Sequence, residues 1–137
     1  WKSLLIGRYL SGRKMVDAGC GAGLSCAIAP NMGGAGSETI GIDRTQEMVD
    51  KAIKTPKPQV FKDGTFQQRI LEELPVEDWW ADFVISNGAI NLAPGKSEVF
   101  KELNRVLKPG GRMQIADIPV DKPIPESAKR NIDLWNG

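Results

Sequence analysis

Three glycines, Gly19, Gly21 and Gly23, stand at alternate positions in the stretch VDAGCGAGLS at residues 16–25. Glycine lets a chain turn sharply and lets a ligand approach the backbone, because no Cβ is in the way. Asp43 lies 20 residues beyond Gly23, where a carboxylate can accept two hydrogen bonds from a ribose diol. The pattern predicts a site for a nucleoside ligand. The alternatives are a plain glycine turn, and an Asp43 that is a solvated acid at the strand end or a cap of the next helix.

Two cofactor classes contain such a nucleoside, and the loop spacing separates them. A dinucleotide loop reads G-x-G-x-x-G, whereas this chain has G-x-G-x-G followed by Leu24. Asp17, just before the loop, would repel a pyrophosphate but would attract a cationic ligand. S-adenosylmethionine carries a sulfonium and an ammonium and has no phosphate. The methyl donor is therefore favoured, and a nicotinamide-dependent oxidoreductase is the less favoured alternative.

Composition narrows the chemistry further. The 137 residues predict one domain over 1–137, and 18 basic against 17 acidic residues give a net charge of +1. This balance favours neither nucleic acid nor a membrane surface as a partner. The chain has no histidine, which excludes histidine-activated nucleophiles, and with Cys20 and Cys26 as the two cysteines no metal site of the Cys/His type is expected. No long apolar run or signal peptide is evident, so a cytoplasmic location is predicted.

Hydrophobic periodicity predicts strands and helices in alternation. Strands are predicted at 14–18, 38–43, 65–70, 81–87 and 112–118, and helices at 24–31, 45–53, 97–107 and 125–135. Thr45 is expected to cap the second helix, and Phe100 is expected on the apolar face of the third. The alternation predicts an α/β fold with an open, doubly wound, mostly parallel sheet. Ligands bind beyond the carboxyl ends of such strands, where the glycine loop, Asp43, Ile70 and Asn87 would converge.

The successive stretches MVDAGCGAG, GIDRTQEMVDKA, ELPV, DFVISNGAINL and RVLKPGGRMQIADI resemble the motifs of class I S-adenosylmethionine-dependent methyltransferases. Residues 84–112, together with DLWNG at 133–137, are similar to the arsenite methyltransferase branch. The resemblance covers nearly the whole chain. It implies a Rossmann-like sheet in the order 3-2-1-4-5 and S-adenosyl-L-methionine as the cofactor.

The resemblance also implies a role for each motif residue. The glycine loop, with Cys20 inside it, would pass under the methionine and ribose. The other implied contacts are Asp17 with the ammonium, Asp43 with the ribose, Arg44, Ile70 and Leu71 with the adenine, and Asn87 with the methionine. Many relatives have an acidic residue at position 70. Because Ile70 cannot accept a hydrogen bond from the adenine amino group, recognition there would rest on backbone groups and apolar packing.

Two features depart from the family pattern. The arsenite branch has a cysteine after VISN, and Gly88 stands there in this chain. Arsenic chemistry is therefore not expected, and Cys20 and Cys26 are expected to be small packing residues. The family's antiparallel C-terminal hairpin is not expected within the roughly 20 residues after Ile118. The fifth strand would then have an exposed edge, covered in a homodimer or by the rest of a longer protein.

The sequence therefore predicts a methyltransferase that acts on an unidentified small-molecule acceptor. Methyl transfer would be an in-line displacement, which depends mainly on holding donor and acceptor in line. No residue is assigned as a catalytic base. The alternative is a non-catalytic, methyltransferase-like module that binds the cofactor or a protein partner.

Overall fold

The computed structural model of this 137-residue chain describes residues 12–26, 37–56 and 64–118. In these ranges strands and helices alternate: β1 (Lys14–Ala18), β2 (Glu38–Asp43), α1 (Gln46–Lys54), β3 (Gly64–Gln68), β4 (Ala81–Asn87), a 3₁₀ helix (Ile90–Leu92), α2 (Lys96–Val106) and β5 (Leu107–Ala116). A further helix starts at residues 24–26. The rest of that helix, and the helix predicted at 125–135, lie outside the described residues.

The five strands form one sheet in the order β3-β2-β1-β4-β5, and every neighbouring pair is parallel. This order confirms the predicted open α/β sheet. The chain moves from β1 outward to β2 and β3 and then returns to β4, so the direction of winding reverses between β1 and β4. Ligands of such sheets bind at this reversal, outside the carboxyl ends of the strands. Among the described strands, β5 pairs with β4 alone and forms an edge.

Alternation along β1 divides its side chains between the two faces of the sheet. Val16 and Ala18 enter the main apolar core, whereas Met15 packs with Phe83 in a separate cluster. Helix α2 covers the main core with Val99, Leu103 and Val106. Asp17, two residues after Met15, belongs to the second face and is only 2% exposed. Strand alternation is therefore what places a buried carboxyl group beneath the glycine loop.

Three local details differ from the sequence predictions. Phe100 is 47% exposed, because the buried stripe of α2 is narrower than its apolar residues suggested. Thr45 occupies the N-cap of α1, but its side chain makes no capping hydrogen bond. Its backbone N–H instead donates to Asp43 Oδ1 at 2.9 Å, a local turn typical of aspartate.

The third difference concerns β5, which begins at Leu107 rather than at residue 112. Ala81 pairs with Leu107 and Phe83 with Arg112, so the register shifts across the turn-forming residues between them. Gly110 has a φ of +79° there, a conformation that glycine adopts readily. The sequence KPGG therefore ends α2 as predicted, but it does so inside an irregular strand.

None of the helices in the described ranges is long and apolar enough to cross a membrane.

Candidate functional site

The carboxyl ends of the strands meet along one rim of the sheet. Ala18 of β1 is in register with Ile42 of β2, and Asp43 is in register with Gln68 at the end of β3. On the other side of β1, Asn87 at the end of β4 is in register with Ala116 of β5. The segments that follow these strands hold the residues singled out from the sequence, so the structure brings them to a common edge.

The glycine loop after β1 is folded over the end of β2 by its own backbone. The N–H groups of Gly19 and Cys20 both donate to the carbonyl of Ile42, at 2.8 and 3.0 Å. The N–H of Gly23 donates back to the carbonyl of Cys20 at 2.9 Å. The N–H of Gly21 donates to Asp43 Oδ2, also at 2.9 Å. All three glycine N–H groups are therefore occupied within the protein.

Positive φ angles explain why glycines are needed in this loop. Gly19 has a φ of +82°, and a Cβ built on it would overlap the Cβ of Ala89. Gly21 has a φ of +50°, and a Cβ there would meet nothing within 4 Å. The first glycine thus permits close packing against the segment after β4. The second leaves open space above the backbone, where a ligand can come close.

Asp43 connects the loop with the start of α1. Its Oδ2 accepts from Gly21 and its Oδ1 accepts from the N–H of Thr45, each at 2.9 Å. Its backbone carbonyl accepts from the N–H of Arg69, at 3.0 Å, where the chain leaves β3. A carboxylate has about four acceptor positions, so two hydrogen bonds leave capacity for hydroxyl groups of a ligand.

Asp17 is buried beside the first turn of the helix that follows the loop. The thiol of Cys26 donates to Asp17 Oδ2 at 3.2 Å. Burial raises the pKa of Asp17 to about 6, although the Cys26 hydrogen bond acts in the opposite direction, and the nearby Asp43 charge raises it further. Above that pH the carboxylate is a buried negative charge under the loop, which favours a cationic ligand group nearby.

The two cysteines are both buried, as the sequence predicted, and they pack with Phe66. Burial raises the pKa of Cys20 to about 12, and the charges of Asp17 and Asp43 act in the same direction. Cys20 is therefore a protonated thiol at neutral pH and a poor nucleophile or metal ligand. In the part of the chain that the structure describes, no cluster of three metal-ligating side chains is found.

The remaining predicted residues lie on the same rim but differ in exposure. Ile70 is 54% exposed, whereas the side chain of Leu71 is buried in the main core, so the backbone of Leu71 is the part that can face a ligand. Arg44 is exposed, and its Nη1 lies 3.5 Å from the carbonyl of Leu92 across the rim. Asn87 is exposed at the end of β4. β3 and β4 are three strand spacings apart, so their carboxyl ends, after which Ile70 and at which Asn87 lie, are separated by about 14 Å along the rim.

Sequence reasoning missed several residues that hold the loop in place. Ser86 Oγ donates to the carbonyl of Ala18 at 2.8 Å, and Thr55 Oγ1 donates to the carbonyl of Ala22 at 2.9 Å. Ser86 is a buried polar residue in an otherwise apolar strand, which is the signal that could have identified it. Thr55 follows α1 directly, and nothing in its local sequence indicates a contact 33 residues away.

Comparison with known proteins agrees with this geometry. A family profile described as a methyltransferase domain matches residues 10–137. An arsenite methyltransferase of Halobacterium salinarum is 36% identical over 126 residues, covering 92% of this chain and 32% of that protein. The arsenite methyltransferase of Mus musculus is 31% identical, covering 96% of this chain and 38% of that protein. The chain thus spans about a third of the length of these relatives.

Solved structures give the same result. An arsenic(III) S-adenosylmethionine methyltransferase of Chlamydomonas reinhardtii superposes with a TM-score of 0.77 at 32% identity, covering 91% of this chain and 45% of that one. A SAM-dependent methyltransferase of Aquifex aeolicus gives a TM-score of 0.76 at 25% identity, covering 92% and 69% of the two chains. Sheet order, profile match and relatives agree, and the chain belongs to the class I S-adenosylmethionine-dependent methyltransferases.

Proposed function

We propose that this chain binds S-adenosylmethionine and forms the methyl-donor site of an enzyme that methylates a small-molecule acceptor. The observation that carries the proposal is the hydrogen bond from the Gly21 N–H to the Asp43 carboxylate. It places a negative charge on the loop where a dinucleotide-binding protein would present free N–H groups to a pyrophosphate. A ligand with cationic groups and no phosphate suits this loop better.

The spacing of the rim suits an elongated nucleoside. The adenine would lie over the ends of β2 and β3, between Arg44 and Ile70, and the ribose hydroxyls would meet Asp43. The methionine would lie over the ends of β1 and β4, with its ammonium near Asp17 and its backbone near Asn87. The ends of β3 and β4, about 14 Å apart, leave enough length along the rim for both parts. Gly19, Cys20, Gly21 and Gly23 would lie beneath them.

When bound, S-adenosylmethionine supplies a methyl group on a sulfonium, which an acceptor displaces in line while the sulfur keeps the bonding electron pair. The chain contributes position and charge. Asp43 and the glycine loop would hold the ribose, and Asp17 would hold the ammonium. Asn87 and the open space above Gly88 would leave room for the acceptor beyond β4. No residue of this chain is assigned as a base, and the transfer can proceed without one when the acceptor is already a good nucleophile.

We do not include arsenic held by thiolates of this stretch in the proposal. Trivalent arsenic prefers sulfur ligands. Both cysteines of this sequence are buried, Cys20 within the glycine loop and Cys26 in the helix that follows it, and Gly88 occupies the rim position after β4. This stretch of chain therefore brings no thiolate of its own to the acceptor side of the rim, unlike what the arsenite methyltransferase names of its relatives suggest.

Calorimetric titration tests the proposed function. Heat is expected with S-adenosylmethionine and with S-adenosylhomocysteine, and none with NAD at the same concentrations. Heat of binding with NAD alone would identify a dinucleotide site. The absence of a heat signal with both adenosyl ligands would overturn the cofactor assignment.

We also propose a homodimer that pairs two β5 edges. In support, β5 is an edge among the described strands, and Ile115 and Ile118 at its end are 38% and 79% exposed. An exposed apolar edge favours pairing with another chain. Light scattering over a range of protein concentrations should show a monomer–dimer equilibrium. A concentration-independent monomer with a cooperative unfolding transition would contradict this arrangement.

A further inference from the structure

Arg105 of α2 makes hydrogen bonds to the segment of residues 69–80, which joins β3 to β4. Arg105 Nη1 donates to the carbonyl of Val76 at 2.8 Å and to Asp78 Oδ1 at 2.7 Å. Its Nη2 donates to the carbonyl of Leu74 at 3.1 Å. A single guanidinium group thus binds three alternate residues of this segment, which are Leu74, Val76 and Asp78.

Glu102, one turn earlier on α2, completes the contact. Its Oε1 accepts from Arg105 Nε and its Oε2 from Arg105 Nη2, both at 2.7 Å, which is a bidentate pair. Its Oε2 also accepts the backbone N–H of Leu74 at 2.8 Å. The Arg105 hydrogen bond lowers the pKa of Glu102 despite partial burial, and the same contact raises the pKa of Arg105. The pair therefore stays charged at neutral pH.

Segment 69–80 contains no helix or strand, so no regular backbone ladder fixes its position. Its backbone groups at Leu74 and Val76 are satisfied by α2 side chains instead. The segment begins at the cofactor rim, where Ile70 is exposed and Leu71 turns into the core. Leu74 is three residues beyond Leu71, which is at most roughly 11 Å of chain. The N–H of Glu73 also donates to the carbonyl of Ile70 at 3.3 Å, so a backbone contact joins the part of the segment next to Leu74 to the rim.

We propose that Arg105 and Glu102 are positioning residues that fix residues 70 and 71 at the rim and so set the affinity of the site for adenine. The inference rests on the proposed function. Ile70 has no polar side-chain atom to offer the adenine amino group, so recognition on this side depends on where the backbone lies. The Arg105 and Glu102 contacts help to set that position, together with the Arg69–Asp43 backbone hydrogen bond and the buried Leu71 side chain.

The test compares two ligands in three variants of the chain. S-adenosylhomocysteine contains the adenine, and S-ribosylhomocysteine lacks it. In Arg105→Met, the Kd for S-adenosylhomocysteine should rise roughly 10-fold or more, as expected for a misplaced contact, while the Kd for S-ribosylhomocysteine changes less than about twofold. Glu102→Gln is the milder variant, since its amide can still accept from Leu74, and it should show the same pattern with a smaller rise. Lys101→Met removes an exposed cation from the same helix and should change neither.

Amide hydrogen exchange supplies the structural readout. The N–H groups of Leu74 and Trp79, which donate to Glu102 Oε2 and to the carbonyl of Arg105, should exchange faster in Arg105→Met and Glu102→Gln than in the unmodified chain, and Lys101→Met should match the unmodified chain. Equal loss of affinity for both ligands, or faster exchange with no loss of affinity for S-adenosylhomocysteine, would overturn the positioning role. If the unmodified chain binds neither ligand, it is the proposed function itself that fails.

Discussion

The carboxylate of Asp43 accepts a hydrogen bond from the backbone N–H of Gly21, across 2.9 Å and 22 residues of sequence. The contact joins the end of β2 to the loop after β1. These two strands are neighbours in the sheet, and their ends lie at the centre of the candidate site. It makes Asp43 a structural part of the glycine loop as well as a candidate ligand for ribose. A substitution at Asp43 should therefore affect binding both through the ribose contact and through the loop.

Asp43→Ala removes the acceptor expected for the ribose hydroxyls. S-adenosylhomocysteine should bind more weakly by about 1–3 kcal/mol, the range for hydrogen bonds to a charged group. Calorimetry measures the change. Asp50→Ala is the matched control, because Asp50 is an exposed acid on α1 that accepts from Gln46 at 2.8 Å, away from the loop. Unchanged affinity in Asp43→Ala would place the ribose elsewhere.

Gly21 and Gly110 form a matched pair for testing the loop. Both have positive φ, +50° and +79°, and a Cβ on either would meet nothing within 4 Å. Alanine at each position should destabilise the fold by roughly 1–2 kcal/mol through backbone strain. Gly110 lies near the start of β5, at the opposite end of the sheet, so only Gly21→Ala should also weaken binding of S-adenosylhomocysteine. Urea unfolding and calorimetry separate the two effects, and equal affinities would contradict a ligand above Gly21.

The fold could be predicted from the sequence because its signals are local. The apolar run at 81–87 gave β4 with the same bounds, and the alternation of strands and helices led to the correct sheet order. Phe100 shows the limit of periodicity: it stands one residue after buried Val99, and a helical pattern does not say how wide the buried stripe is.

The loop glycines and Asp43 carry a recognisable spacing, but the residues that hold them do not. Ser86 reaches Ala18 across 68 positions, and Arg105 reaches Leu74 across 31. Such contacts depend on which elements become neighbours after folding. A local sequence pattern does not predict those neighbours. Cys26 was correctly expected to be buried, yet its hydrogen bond to Asp17 became visible only when the helix after the loop was placed.

Asp82 supports the opposite end of the sheet. Its Oδ2 accepts from the backbone N–H of Lys14 at 2.9 Å and its Oδ1 from Lys108 Nζ at 3.0 Å. Burial alone would raise the pKa of Asp82, but these two hydrogen bonds, together with nearby positive charge, lower it below the usual value. A lowered pKa means stability that is present above pH 3.8, the unfolded value, and is lost as the pH falls further.

Asp82→Ala should therefore lower the free energy of unfolding at pH 7 by about 1–3 kcal/mol. The difference from the unmodified chain should shrink when the same urea titration is repeated near pH 3, because stability that comes from a lowered pKa is lost as the pH falls below the unfolded value of 3.8. Glu77→Ala, at an exposed position four residues before β4, serves as the control. A difference that is the same at both pH values would show that charge plays no part.

The contribution of Asp17 to the free energy of unfolding should depend on pH in the opposite direction. Burial raises its pKa from 3.8 to about 6, so the folded chain binds a proton more readily than the unfolded chain between these values. Stability contributed by this group is therefore present at low pH and falls as the pH rises from 3.8 to about 6. The full difference corresponds to about 3 kcal/mol. The chain thus retains a destabilising charge at neutral pH, as expected if Asp17 holds the ammonium of the proposed ligand.

Asp17→Asn removes that charge while preserving shape and a partner for Cys26. The variant should be more stable than the unmodified chain by about 1–3 kcal/mol at pH 8, and its advantage should disappear near pH 4. Urea unfolding across this range measures both. Its affinity for S-adenosylhomocysteine should fall at pH 8, since the ligand's ammonium loses a buried counter-charge. A variant that is less stable at pH 8, or that binds as tightly as the unmodified chain, would show that Asp17 is a structural hydrogen-bond acceptor and not a charge kept for the ligand.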